Sequence, residues 1–116
     1  FQLVARERFT LEKPGVVASM LRALLEAESY LRKHPAESKQ IVGRSLGLSA
    51  AEVADRWAGI GVRVSLDEDL LTLMEDEARW IVSHGLADAE DLPNCFELLH
   101  FEPLERLKPE AVSVIH

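Results

Sequence analysis

The sequence contains a single cysteine, Cys95, among 116 residues. One cysteine rules out a disulfide within the chain and a cysteine-rich metal cluster, and it fits a cytosolic or a periplasmic protein equally well. No two histidines lie three or four residues apart, so the spacing of a local pair of metal ligands is missing. The histidines are His34, His84, His100 and His116. We therefore predict no bound metal and no cofactor.

Long apolar runs are also missing. None approaches the roughly 20 residues that a membrane-spanning helix requires, and no signal peptide is visible. The chain begins without methionine, inside the apolar run Phe1–Ala5. We expect a fragment or processed piece of a longer protein, so that residues 1–116 form a single domain or part of one.

The sequence lacks the common catalytic motifs. It has no glycine-rich phosphate loop and no Gly-x-Ser-x-Gly elbow. Glu75, Asp76 and Glu77 are consecutive, so a helix would point them in different directions and not into one pocket. With no convergent nucleophile, base or carboxylate pair, we predict that the protein is not an enzyme and has no catalytic residues.

Positive charge is scarce, since the formal net charge is −7. The stretch IVGRSLGLSAAEVADRW, residues 41–57, has the form of a helix-turn-helix that could read DNA. However, its second helix offers Glu52 and Asp55 against Arg56, which is the wrong balance for a phosphate backbone. We predict that these residues form two packed helices joined by a turn. We also predict that the protein does not bind nucleic acid.

The sequence does show helical periodicity. Hydrophobic residues make up 47% of it. One apolar face follows Pro14, with residues at spacings of three, one, three, three and four: Val17, Met20, Leu21, Leu24, Ala27 and Leu31. We predict long helices over Pro14–Lys33 and Asp67–His84, with shorter ones over Ala36–Leu46 and Ser49–Ala58. Phe1–Ala5 and Val62–Val64 are candidate short strands, so the predicted fold class is mainly α with one or two short strands.

Helix boundaries carry their own signals. Gly47 suits a left-handed helix end. Ser49 with Glu52 has the spacing of a capping box, and so does Ser65 with Glu68. The acidic residues 67–69 then fall at a helix start, where the dipole favours negative charge, which is a better explanation for them than a metal site.

The order of these segments resembles the later part of the solute-binding proteins of ABC importers, in the branch for nitrate, sulfonates such as taurine, and thiamine-type pyrimidines. No single motif is specific, and the succession carries the resemblance. The matching segments are Leu3–Phe9, Pro14–Val17, Ala23–Leu31, His34–Glu37, Leu46–Leu48, Trp80–Leu86 and Glu102–Ile115.

The resemblance implies the C-terminal portion of an α/β, two-lobed periplasmic-binding fold. It implies a non-catalytic, periplasmic or extracytoplasmic component of an importer, whose partners are a small anion or pyrimidine and the membrane permease. Family members are much longer, and the lobe that supplies most ligand contacts has no counterpart in this chain. No family ligand residue can therefore be transferred, and Arg6, Arg8 and Arg63 remain weak candidates for ligand binding.

Two further expectations follow. The alternative function is a helical interaction or ligand-sensing module appended to a signalling protein. We also expect the isolated chain to self-associate, because its long apolar faces exceed what one small layer covers and because Phe1–Ala5 would offer an unpaired strand edge.

Overall fold

The computed structural model describes residues 2–115, and 68% of these residues lie in α-helices or 3₁₀ turns. The predicted mainly helical class is confirmed, and both long helices lie where the periodicity placed them. The α-helices are α1 (Glu7–Glu12), α2 (Pro14–Lys33), α3 (Pro35–Leu46), α4 (Ala50–Trp57), α5 (Glu68–Ser83) and α6 (Glu102–Leu107). Within the described residues, three short 3₁₀ turns follow α5, at Ala89–Asp91, Cys95–Leu98 and Pro109–Ala111.

Strand structure is nearly absent from residues 2–115. The one β-bridge there is parallel and joins Leu66 to Val112. The Leu66 N–H donates to the Ala111 carbonyl at 2.8 Å, and the Ser113 N–H donates to the Leu66 carbonyl at 3.0 Å. Neither candidate strand forms: residues 2–5 and 62–64 have no ladder partner, and Phe1 lies outside the described residues. A strand needs a neighbour to receive its hydrogen bonds, and the described chain supplies none.

Two compact units make up the chain. The terminal unit combines Phe1–Ala18 with Ser65–His116, and the central unit is Ser19–Val64. In the terminal unit the buried apolar side chains are Leu104, Ala111 and Val114, beside the bridge to Leu66. No helix in the described part of the protein is both long enough and apolar enough to cross a membrane.

The start of α5 differs from the prediction. Asp67 is the N-cap, and its carboxylate accepts a hydrogen bond from the Leu70 N–H at 3.3 Å. The Ser65 hydroxyl instead donates to the Asp67 carboxylate at 2.9 Å. The predicted capping box of Ser65 with Glu68 is therefore wrong by two residues, because aspartate caps a helix as well as serine does.

One short helix was not predicted. Helix α1 covers Glu7–Glu12, where the sequence is mostly polar. The Arg8 Nε donates to Glu12 Oε1 at 2.7 Å, one turn along the helix. No residue of α1 is buried, so the apolar periodicity that reveals longer helices is absent here.

Candidate functional site

A concave surface lies in the central unit, between α3 and α4. Helix α3 ends at Gly47, whose φ of 65° is left-handed and strains any residue with a Cβ. The Leu48 N–H then returns to the Gly43 carbonyl at 2.9 Å, which closes the turn. Ser49 starts α4, and its side-chain oxygen accepts from the Glu52 N–H. The predicted glycine turn and the first capping box are both confirmed.

Gly43 allows the two helices to approach closely at this corner. A Cβ on Gly43 would lie 3.2 Å from the Leu48 carbonyl oxygen and 3.2 Å from Cγ2 of Val53, which is tighter than ordinary van der Waals contact. Val53 is one of the buried apolar side chains of the chain. A groove of about 530 Å³ lies beside this contact. Its lining residues are Ala36, Lys39, Gln40, Gly43, Arg44, Leu48, Ala50 and Val53.

The groove, which we call the α3–α4 groove, combines an apolar floor with cationic edges. Lys39 and Arg44 are its two charged lining residues, and no carboxylate lines it. The Lys39 Nζ lies 5.8 Å from the centre of the Trp57 ring, within cation–π range. Neither cation forms an ion pair with another of the described residues. The groove therefore offers positive charge on a chain whose net charge is negative.

The nearest carboxylate in sequence to the floor, Glu52, is held by the cap of α4. Its Oε2 accepts from the Ser49 N–H at 2.8 Å and from the Ser49 hydroxyl at 2.7 Å. These hydrogen bonds favour the ionised form and lower the pKa of Glu52 below 4.5. Its role is thus structural, since both bonds satisfy the start of the helix.

A buried carboxylate lies elsewhere in the central unit. Glu28 on α2 is 8% exposed, and its Oε2 accepts from the Val64 N–H at 2.9 Å. Its Oε1 is 3.3 Å from the Arg32 guanidinium, as the one-turn spacing predicts. Glu28 therefore connects the segment at the end of the central unit to α2, and its negative charge has a structural role.

The three arginines suggested by the sequence do not form one cluster in either unit. Arg6 is the N-cap of α1 without a side-chain capping bond, and Arg8 is exposed and paired with Glu12. Both belong to the terminal unit, whereas Arg63 is an exposed residue of the central unit. Nothing in the structure tests these candidates, so they remain predictions.

Two histidines stack on aromatic rings one turn before them. His34 lies 4.6 Å from the Tyr30 ring, and the Tyr30 hydroxyl donates to Glu37 Oε2 at 2.6 Å. That bond, with the negative charge of the carboxylate, raises the pKa of Tyr30 above 10. His84 stacks on Trp80 at 4.1 Å. Over residues 2–115, no group of three histidine, cysteine or acidic side chains is arranged to hold a metal ion.

Comparison with protein-family models, curated proteins and solved structures finds no match to this chain.

Sequence reasoning missed the two features that geometry brings out. Sequence alone places Lys39 and Arg44 on one helix, but it does not predict a cationic groove, because a groove depends on how two helices pack. The second feature is the buried carboxylate of Glu28. A signal for its burial did exist, since Glu28 lies seven residues after Leu21 and three before Leu31, within the apolar face of α2.

Proposed function

We infer that this chain is the C-terminal portion of the solute-binding component of an ABC importer. Its ligand would be a small anion such as nitrate or a sulfonate, or a pyrimidine. The protein would be non-catalytic and extracytoplasmic, with the membrane permease as partner. Support comes first from the order of segments along the sequence, which resembles these proteins from Leu3 to Ile115.

The observation that carries the proposal is the uncovered apolar face of α2. Val16, Met20 and Leu24 repeat every four residues, and the first two are 52% and 50% exposed. Val17, Leu21 and Leu31, on the adjoining side, are half-buried. An exposed apolar stripe on a long helix marks a surface that something else covers. In an α/β lobe, that cover is a sheet.

A second observation agrees with a missing sheet. Leu3 and Val4 are exposed, and neither has a backbone hydrogen bond to another described residue. Apolar, β-branched segments of this kind are typical of strands that pair in the interior of a sheet. If a longer chain contributed strands, those strands would pair with Leu3 and Val4, and the resulting sheet would also cover α2.

Calorimetric titration tests the proposal. The protein from the complete reading frame and the 116-residue chain are each titrated with nitrate, an alkyl sulfonate and a pyrimidine. We expect the complete protein to bind one of them and the 116-residue chain to bind none, because losing contacts worth 1.4 kcal/mol costs about tenfold in affinity. Failure of the complete protein to bind any of the three would overturn the proposal. Tight binding by the short chain would instead place the site near Arg6, Arg8 or Arg63.

The α3–α4 groove favours one second candidate, the interaction module of a signalling protein. Apolar grooves between helices commonly receive a helix from a partner. The upstream reading frame separates the two functions. A signal peptide and an α/β lobe would support transport, whereas a kinase, cyclase or DNA-binding domain would support signalling.

A further inference from the structure

We propose that the α3–α4 groove binds the acidic face of helix α5 from a second copy of this chain. The groove needs an apolar side chain for its floor and carboxylates for Lys39 and Arg44. Helix α5 presents both on one exposed surface. This proposal is independent of the transport function, since it concerns only surfaces that the described residues carry.

The apolar part of that surface consists of Leu73 and Trp80. They lie seven residues apart, so they share one face of α5 two turns from each other. Leu73 is 50% exposed and Trp80 is 55% exposed. His84 stacks on Trp80 and restrains the indole ring, which lowers the entropy lost when Trp80 is buried by a partner. Tryptophan is among the residues that most often anchor an interface.

Carboxylates flank this pair on both sides. By helical geometry, at about 100° per residue, Asp69 and Glu77 lie within about 60° of Leu73, on opposite sides. Neither forms an ion pair with a residue in the described range 2–115. Arg79 instead forms ion pairs within α5, with Asp76 at 2.5 Å and with Glu75 at 3.8 Å. The exposed face is thus apolar at its centre and acidic at its edges.

The groove has the complementary arrangement. Its lining includes Gly43, Ala50 and Val53, whose small or medium size leaves room for a larger side chain. Lys39 and Arg44 stand beside it without an acidic partner among residues 2–115. A helix laid in this groove would bury Trp80 and bring its carboxylates to the two cations, which is the general mode of an amphipathic helix in a groove.

Charge complementarity is why a second copy is the favoured occupant. Two chains of net charge −7 repel each other at long range. A local contact of opposite sign would offset this repulsion. The α3–α4 groove has a cationic lining without a carboxylate, and α5 supplies the acidic face.

Charge reversal gives a direct test on the 116-residue chain. Self-association is followed by analytical ultracentrifugation over a range of protein concentration, with tryptophan emission as a second signal. The groove variant is K39E with R44E, and the helix variant is D69K with E77K. We expect each to weaken self-association by at least about tenfold, because each replaces two attractive contacts with repulsive ones.

Mixing the two variants is the decisive measurement. The acidic groove of one variant then meets the basic helix of the other, so we expect mixed complexes to form at concentrations where each variant alone associates weakly. The matched control for the groove variant is R22E with K33E, which makes the same change in net charge at exposed positions outside the groove and should keep wild-type association. Trp80→Ala, at an exposed position that leaves the core intact, should weaken association as the charge reversals do.

Three results would overturn the proposal. The first is a wild-type chain that sediments as a monomer at every concentration. The second is association that survives both reversals and instead disappears in Met20→Ser with Leu24→Ser, which would assign the contact to α2. The third is the absence of mixed complexes between two variants that circular dichroism shows to be folded.

Discussion

The two compact units are stabilised by different kinds of contact. The terminal unit buries apolar side chains, namely Leu104, Ala111 and Val114. The central unit buries one apolar side chain, Val53, together with Glu28, Ser38 and Gly43. The Ser38 hydroxyl donates to the His34 carbonyl at 2.7 Å, and Glu28 accepts from Val64. Every buried side-chain polar atom in residues 2–115 has a hydrogen-bond partner.

This difference shows how a small helical unit can form with little apolar core. A buried polar group is tolerated only when it is hydrogen-bonded, so each such group specifies one arrangement of its neighbours. Apolar contacts are less directional, and removing a buried apolar side chain lowers stability mainly because it leaves a cavity. The terminal unit should therefore respond most to changes in side-chain volume. The central unit should respond to changes in hydrogen bonding and in the approach of its backbones.

The largest effect is expected at Leu104 in the terminal unit. Leu104→Ala should lower the free energy of unfolding by about 2–5 kcal/mol, because it removes a buried side chain and leaves a cavity. Urea denaturation measures the change. Leu98→Ala is the matched control at an exposed position and should cost far less. Equal losses in the two variants would show that Leu104 does not belong to a packed core.

Glu28 tests the polar interior of the central unit. Glu28→Ala should cost about 1–3 kcal/mol, because the Val64 N–H loses its acceptor. Glu28→Gln keeps an oxygen for Val64 and should cost less. Hydrogen exchange of the Val64 amide reports the contact directly and should accelerate in Glu28→Ala. Glu26→Gln, an exposed control on α2, should leave that amide unchanged, and equal exchange in all variants would contradict the assignment.

Gly43 tests the close approach of α3 and α4. Gly43→Ala should destabilise the central unit by about 1 kcal/mol, although alanine favours helix in general. The Leu48 carbonyl cannot retreat easily, because the Leu48 N–H is bonded to Gly43 itself. Gly15→Ala is the control, since a Cβ there meets open space. Thermal unfolding compares them, and a Gly43→Ala variant as stable as Gly15→Ala would contradict the close contact.

The smallest effect concerns pH. Because its hydrogen bonds to Ser49 lower the pKa of Glu52, the stabilisation from this carboxylate is present above pH 4.5. It should be lost as the pH falls through the lower pKa of the folded protein. The stability difference between the wild type and Glu52→Gln should therefore shrink on acidification. Asp55→Asn on the same helix is the control, and a difference for Glu52→Gln that stays constant with pH would argue against the cap as its cause.

Much of the local structure follows from the sequence. The bounds of α2 were predicted from Pro14 and from the apolar spacing up to Lys33. This was possible because the apolar residues of an amphipathic helix recur in the sequence with the helical period. The turn at Gly47 and the cap at Ser49 were predicted because each depends on backbone groups only a few residues away. The cap of α5 was misplaced because Ser65 and Asp67 both have suitable side chains, and only the backbone path decides between them.

The candidate site depended on tertiary structure. Sequence alone determined that Lys39 and Arg44 lie on one helix and that Gly43 lacks a side chain. Only packing decided that α4 crosses α3 at Gly43 and opens a groove beside both cations, since a groove is a property of two surfaces. Likewise, sequence spacing placed Glu28 on the apolar face of α2, but only the folded chain brought the Val64 N–H to it. Contacts within one turn of helix are encoded locally, whereas a contact across 36 residues exists only once the chain has folded.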